Sequence, residues 1–311
     1  MSFALAGNGE RRYRTAMTAF LILVAPPSRP LTESDLSEAQ TALENLGATP
    51  AIPNWLQAGK AAEIRFDAVD PGRFRSVLNF EGLDWAITFL GKRRKAVLVA
   101  DMDSTMIEIE TLDTLAAELG LGEAIAEITR RSMNGELDFA AALRERVAML
   151  EGYPAEQAMQ TVMDRVTYTP GGKVAIATMR AYGSYCALVS GGFTFTTETV
   201  YAELGFHEHR ANVLEINDGR LTGKVAEPIV ARDTKLTTVR ELCVKQGVEL
   251  EDACTVGDGA NDLDMLRATG LGVAYYGKPI VRAEASFRID HTDLSTLLFY
   301  QGYSRDEFIG A

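Results

Sequence analysis

The stretch Ala96-Val97-Leu98-Val99-Ala100-Asp101-Met102-Asp103-Ser104-Thr105 decides how the chain is read. Five consecutive apolar residues are strand length, and a run without polar alternation suits a strand buried on both faces of a parallel sheet. Two carboxylates follow at once. In an open α/β sheet, ligands bind in the crevice outside the carboxyl ends of the strands, so Asp101 and Asp103 stand where a site is expected. One residue apart on a chain leaving a strand, they can face one site from different environments. One then stays ionised as metal ligand and nucleophile, while the other, raised in pKa, serves as acid and base. Alone, the same letters also suit a loop in which an aspartate caps a turn.

The other strand ends narrow this choice. SYCALVS (184–190), ACTVG (253–257) and LGVA (271–274) have the same buried-strand character, with helical patterns near 171–182, 193–204, 233–246 and 260–268. This is a doubly wound α/β sheet. Ser190-Gly191-Gly192 ends the second run, a hydroxyl followed by glycines whose N–H groups can approach a phosphate closely. Gly257-Asp258-Gly259-Ala260-Asn261-Asp262 ends the third, and Lys235 opens the helix before it. Carboxylates, a hydroxyl, glycines and a lysine at three strand ends indicate magnesium-dependent phosphoryl transfer.

Residues 110–165 break the alternation. They are helical in pattern, with interruptions at Gly120 to Gly122, Asn134-Gly135 and Gly152-Tyr153-Pro154, and an all-helical insertion after the first strand belongs above the sheet as a lid. Residues 211–225, turning at Asn217-Asp218-Gly219, read as a β-hairpin appended to the core.

The first 90 residues have another style. MTAFLILV (17–24) is a strand, and LTESDLSEAQTALENLG is a helix with Thr32 as N-cap, Leu36, Ala39, Leu43 and Leu46 at helical spacing, and Gly47 at its end. Residues 48–56 and 61–68 form two strands joined near Gln57 to Lys60, with Pro50 and Pro53 marking the first as an edge. Asp70-Pro71 opens a helix over 71–79, and 84–90 is a last strand. The order βαββαβ is that of a ferredoxin-like sandwich. By element order it resembles the ACT class of small regulatory domains, which implies an amino-acid sensor or a module pairing two copies of the chain as a homodimer. Gly91-Lys92-Arg93-Arg94-Lys95 reads as a solvated junction, which sets the expected division: residues 1–92, then a catalytic unit over 93–311 with its helical cap at about 110–168.

Composition sets outer bounds. The 311 residues are 47% apolar and 24% charged, with a net charge of −12. Residues 1–95 hold 12 basic and 10 acidic side chains, the remainder 19 and 33, so the larger part would repel nucleic acid. Cys186, Cys243 and Cys254 lack CxxC spacing and read as buried reduced thiols, hence a cytoplasmic protein. No apolar run reaches the roughly 18 residues of a membrane span. Arg11, Arg12 and Arg14 before the run 16–25 mimic a secretory signal, but Pro26-Pro27 stands where small residues would mark cleavage, so a tail before a first strand is expected. His207-Glu208-His209 is expected to be a solvated turn rather than a zinc site.

Strand-DxDxT, strand-SGG, a lysine and strand-GDGxND, in that order, resemble the haloacid dehalogenase superfamily of phosphatases. DMDSTMIEIE, NGELDFAAALRERVAMLEG, VSGGFTFT and VGDGANDLDML resemble its phosphoserine phosphatase branch over roughly residues 96–300. The resemblance implies Asp101 as nucleophile and Asp103 as proton donor and acceptor. It implies Mg²⁺ on the Asp101 side chain, the Asp103 carbonyl and Asp258, with Asp262 behind them orienting metal waters and Lys235. Ser190, the Gly191 N–H, Lys235 and Asn261 would face the phosphate. Glu110 would bind the substrate's ammonium and Arg146 its carboxylate, with Met133 and Phe139 closing over it. The implied reaction is hydrolysis of O-phospho-L-serine, the last step of L-serine biosynthesis, with phosphoryl transfer to another alcohol, or a broader phosphomonoesterase activity, as the alternatives.

Overall fold

The structure is a computed structural model that describes residues 16–310, except Lys92, residues 134–135 and the side chains of Ser132 and Met133. Arg11, Arg12 and Arg14 lie outside the described residues.

The chain opens with β1 (Met17–Val24), α1 (Glu33–Asn45), β2 (Thr49–Pro50), β3 (Asn54–Gln57), β4 (Ala61–Ala68) and β5 (Asp84–Phe89). Thr32 caps α1 through a reciprocal pair with Asp35, and Gly47 takes a left-handed φ of +81° beyond its end. The strands form an antiparallel sheet in which β4, β1 and β5 lie in that order and both β2 and β3 pair with β4. The expected strand 48–56 is thus two short pieces on an edge. Pro50 and Pro53 offer no N–H to a ladder, which interrupts it.

The helix expected over 71–79 is instead a short 3₁₀ turn, Pro71–Ser76, and Asp70 makes no capping bond. Pro71 and Phe74, three residues apart, eclipse on one face of such a turn and are both buried. Phe74 stacks on Phe66 of β4 at 5.6 Å.

The second sheet orders its six strands β13-β12-β11-β6-β7-β8, each neighbouring pair parallel. Its first strand is β6 (Val97–Ala100), followed by α2 (Thr111–Glu118), α3 (Gly122–Met133), α4 (Phe139–Ala148) and α5 (Ala155–Met163), the expected insertion. Then come α6 (Gly172–Ala181), β7 (Tyr185–Phe193), α7 (Thr194–Leu204), β8 (Glu208–Asn212), β9 (Leu214–Asn217), β10 (Arg220–Val225) and α8 (Arg232–Gln246). The chain finishes with β11 (Ala253–Gly257), α9 (Leu263–Ala268), β12 (Leu271–Tyr275), α10 (Pro279–Glu284), β13 (Phe287–Ile289) and α11 (Thr296–Tyr300).

The alternation of side chains along β6 shows why the run is wholly apolar. Leu98 and Ala100 join a layer containing Ile176 of α6 and Leu298 of α11, while Val97 and Val99 face Val239 and Leu242 of α8. The chain winds outward from β6 to β8 and then back through β11 to β13. Between β6 and β11 the direction reverses, which is where such sheets leave a crevice.

Three further expectations are corrected. His207-Glu208-His209 leads into β8, which adds the sixth strand: the Cys186 N–H donates to His207 Nδ1 at 3.0 Å, and His209 Nδ1 lies 2.9 Å from Thr197 Oγ1. The hairpin β9–β10 belongs to the lid, because Leu214, Leu221 and Val225 share a core with Leu143 and Val147 of α4. The basic run near residue 95 is no solvated junction. Arg93 covers the Phe20 ring at 3.9 Å and pairs with Glu63, Arg94 covers Tyr303 at 4.1 Å, and Lys95 is buried with its N–H on Gln301 Oε1 at 2.9 Å.

These contacts seat the two sheets on a common core. Ile22 and Val24 of β1 pack with α11, whereas Leu21 and Leu23 face α1. Asp84 of β5 accepts the N–H groups of Asp290 and His291 and the Thr292 hydroxyl, at 2.7, 3.2 and 2.6 Å. Cys186, Cys243 and Cys254 are buried and unpaired. Among the described residues no helix is long and apolar enough to cross a membrane.

Candidate active site

Asp101 leaves β6 with its N–H on the Val256 carbonyl at 3.0 Å, which fixes it between the two strands that flank the reversal. Its Oδ1 receives the Met102 N–H at 2.8 Å and stands 2.7 Å from Lys235 Nζ. Lys235, 1% exposed in the first turn of α8, also meets Asp262 Oδ1 at 2.6 Å. Burial opposes its charge, but the two carboxylates prevail and push the ammonium above its ordinary range. Burial, reinforced by the Asp262 charge, lifts Asp101 to about 7 despite Lys235.

Asp258 ends β11 and is buried, and burial with the Asp101 charge lifts it to about 6. Carboxylate oxygens of Asp101, Asp258 and Asp262 lie within 4.8 Å of one another. Hard oxygen donors this close, two of them raised in pKa even with Lys235 and Lys278 beside them, fit a divalent cation. Gly257 leaves the space that Asp262 fills, and Gly259 leaves that taken by the half-buried Asn261 amide.

Asp103 lies in a different environment. The backbone turns back at Ser104, whose φ of +54° is left-handed, and the Ser104 N–H reaches the Ile109 carbonyl at 3.1 Å. The Asp103 carboxylate takes the Thr111 hydroxyl at 2.5 Å and the Thr111 N–H. Burial, with the charges of Glu110 and Asp101, still pushes it well above the usual carboxylate range.

Ser190, 1% exposed, accepts the Gly192 N–H at 2.9 Å. A Cβ on Gly192 would stand 3.0 Å from Asp103 Oδ2 and 3.1 Å from Ser190 Oγ; one on Gly191 would stand 2.9 Å from the Phe139 ring. The paired glycines therefore admit the Asp103 carboxyl group from one side and Phe139 of the lid from the other. Buried Asn212 steadies this loop, donating to the Gly191 carbonyl at 2.8 Å.

At the lid entrance, Glu110 precedes α2 and its Oε1 accepts the Ser104 hydroxyl at 3.0 Å. Arg146 on α4 is half-buried, its charge supported by Asp113 and Glu110, and its Nε donates to the Ala142 carbonyl at 3.2 Å. Its neighbours differ: Arg144 pairs with Glu227 and Glu145 with Arg131, whereas Arg146 has no ion pair among the described residues. The Met133 side chain lies outside the described residues.

The sequence reading passed over Thr111, Asp113, Asn212 and Lys278. Lys278 stands 3.1 Å from Asp258 Oδ2 and 3.2 Å from Glu110 Oε1. The sequence does carry a signal for it: LGVA at 271–274 is a fourth buried run at the same sheet edge, and Lys278 lies four residues beyond it. A cleft of about 520 Å³ lined by Ser104, Glu108, Tyr275, Tyr276 and Asp293 lies beside the 101–110 loop but includes none of Asp101, Asp258 or Lys235.

Residues 98–267 match the family model described as haloacid dehalogenase-like hydrolase. A phosphoserine phosphatase of Streptomyces coelicolor is 40% identical over 79% of this chain and 62% of its own length. One of Mycobacterium tuberculosis is 42% identical over 74% of this chain and 54% of its own. The chain thus spans about three-fifths or less of these curated relatives. The unliganded crystal structure of a probable phosphoserine phosphatase from Vibrio cholerae superposes with a TM-score of 0.74 at 30% identity, covering 93% of this chain and 88% of that one. With the matched segment holding β6, the lid, Lys235 and the Asp258 loop, the chain belongs to the haloacid dehalogenase-like hydrolase family.

Proposed function

We propose that the protein is a phosphoserine phosphatase, hydrolysing O-phospho-L-serine to L-serine and phosphate in the cytoplasm as the last step of L-serine biosynthesis. The observation that carries this reading is the division of labour between Asp101 and Asp103: one is paired with a buried ammonium, while the other has no cation beside it among the described residues and is pushed by burial well above the usual carboxylate range, although Thr111 donates to it.

Asp101 attacks phosphorus, and the bond from phosphorus to the serine oxygen breaks as Asp103 donates its proton to that oxygen. Asp103 then accepts a proton from the water that cleaves the aspartyl phosphate, restoring both carboxyl groups. Asp101, the Asp103 carbonyl and Asp258 would hold Mg²⁺, with Asp262 behind them, and the bound ion would supply positive charge to the phosphoryl oxygens. Ser190, the Gly191 N–H, Lys235 and Asn261 bind those oxygens. Glu110 takes the ammonium and Arg146 the carboxylate, while Met133 and Phe139 exclude water. Residues 93–311 form the catalytic unit, with its helical cap over 110–168 and the β9–β10 hairpin packed onto that cap, and residues 1–92 an accessory module. The likeness to phosphoserine phosphatases supports the activity, and the buried free thiols suit a reducing compartment.

A steady-state comparison of L-phosphoserine with other phosphomonoesters, with and without homoserine as acceptor, tests it. Preferred phosphate release from L-phosphoserine into water is expected; negligible hydrolysis beside rapid transfer to the alcohol would overturn it.

A further inference from the structure

We propose that Lys278 is a positioning residue that sets the selectivity of this site for an ammonium-bearing phosphate ester, by holding Glu110 in its receiving orientation. The inference rests on the phosphoserine reading above and adds to it a residue that touches neither phosphate nor nucleophile.

The backbone fixes where Lys278 begins. Leaving β12, the chain turns at Tyr276, whose φ of +41° is left-handed, and passes Gly277. The Lys278 N–H then docks on the Asp258 carbonyl at 2.9 Å. Its ammonium returns to the same residue, 3.1 Å from Asp258 Oδ2, and reaches Glu110 Oε1 at 3.2 Å. One side chain thus links the end of β11 to the entrance of the lid.

The partition of Glu110's oxygens gives this link its meaning. Oε1 receives both the Ser104 hydroxyl and the Lys278 ammonium, at 3.0 and 3.2 Å, and Oε2 has no hydrogen-bond partner among the described residues. Two donors on one oxygen pin the carboxylate and leave the other oxygen for an incoming cation. Glu110 and Lys278 side chains are 42% and 48% exposed, so as a stabilising ion pair they contribute little. A weak pair at the mouth of a site matters through orientation, by sparing the substrate the entropy of ordering its own partner.

The test compares L-phosphoserine with 3-phosphooxypropanoate, the same ester without its ammonium. In Lys278→Met, which keeps length and removes charge, KM for L-phosphoserine should rise about three- to fivefold more than KM for the ammonium-free ester, as expected for about 1 kcal/mol of a half-exposed charge interaction. Lys278→Arg should recover most of the difference. In a Glu110→Gln background, Lys278→Met should leave the ratio of the two KM values unchanged. An equal change for both esters, or a ratio change that persists in the Glu110→Gln background, would overturn the proposal. Wild-type protein that does not prefer the ammonium-bearing ester would instead overturn the phosphoserine reading itself.

Discussion

The Thr111 hydroxyl lies 2.5 Å from Asp103 Oδ1, so the first residue of the lid holds the carboxyl group proposed as acid and base. Insertion and core are joined at the point of chemistry rather than only at their shared chain. This explains why a buried threonine opens α2 where exposed polar residues usually stand.

Thr111→Val keeps the shape and removes the hydroxyl. Leaving a buried hydrogen-bonding group without its partner costs about 1–3 kcal/mol, so kcat should fall by roughly 5- to 100-fold if orientation depends on it. The hydroxyl lowers Asp103's pKa, so its loss raises that pKa further and keeps the acid protonated to higher pH. The alkaline limb of the kcat profile should therefore move upward, and an unmoved limb would count against Asp103 as the proton donor.

Asp101→Asn should leave the fold intact and reduce turnover at least 1000-fold, on the order seen when a covalent nucleophile is removed. Acid-quenched wild type given labelled substrate should retain a hydroxylamine-sensitive phosphoryl group that the variant lacks. Residual labelling of the variant would place the nucleophile elsewhere.

How much of this was legible before the structure follows from what each residue depends on. Asp101, Ser190 and Asp258 announce themselves because each stands at the end of a buried apolar run, with Asp103 two residues past the first, and a strand end places a side chain without knowledge of the rest. Thr32 and Gly47 mark α1 for the same local reason. Asn212 depends on pairings between distant segments, so its spacing carries no mark, and Lys278, although it lies just past the fourth buried run, has partners that only the fold brings to it. The linker failed differently: four cations in sequence suggest solvation, yet Arg93 and Arg94 lie over aromatic rings and Lys95 takes its partners from residues 251 and 301. Such burial follows from the seating of one sheet against the other, which short-range patterns do not encode.

Two of the clustered carboxylates, Asp101 and Asp258, predict an inverted pH dependence for metal-free protein. Asp101 and Asp258 are raised to about 7 and about 6, so between about pH 4 and pH 7 the folded state binds protons that the unfolded state has lost. Their contribution to stability is full below about pH 4 and declines as pH rises through those folded values. Thermal melts without metal should show Tm falling across that window, and Mg²⁺ should raise Tm far more at pH 8 than at pH 5. Stabilisation by Mg²⁺ that is equal at both values would argue against these residues as its ligands.

Gly191→Ala would bring a methyl group to 2.9 Å from the Phe139 ring, too close without displacing the lid. KM should rise several-fold. Phe139→Leu in the same protein removes the obstructing ring edge and should recover part of the loss. Strictly additive effects would show that Phe139 and Gly191 do not limit lid position together.

Arg146 supplies the last test, because its two neighbours make opposite use of the same residue type. Arg144 and Glu145 turn outward into ion pairs, whereas Arg146 is half-buried beside Asp113 and Glu110 without an ion-pair partner among the described residues. Burial disfavours its charge, and those two carboxylates support it from a distance, which leaves the guanidinium free for a ligand anion. A planar fork can grip a carboxylate through two parallel N–H donors, and a lysine cannot. Arg146→Lys should therefore raise KM for L-phosphoserine about 10- to 100-fold, the cost of a charged hydrogen bond, while KM for O-phosphoethanolamine, which lacks the carboxylate, changes much less. If both esters weaken equally, Arg146 acts on the phosphate or the lid packing, and the carboxylate must be recognised by another residue.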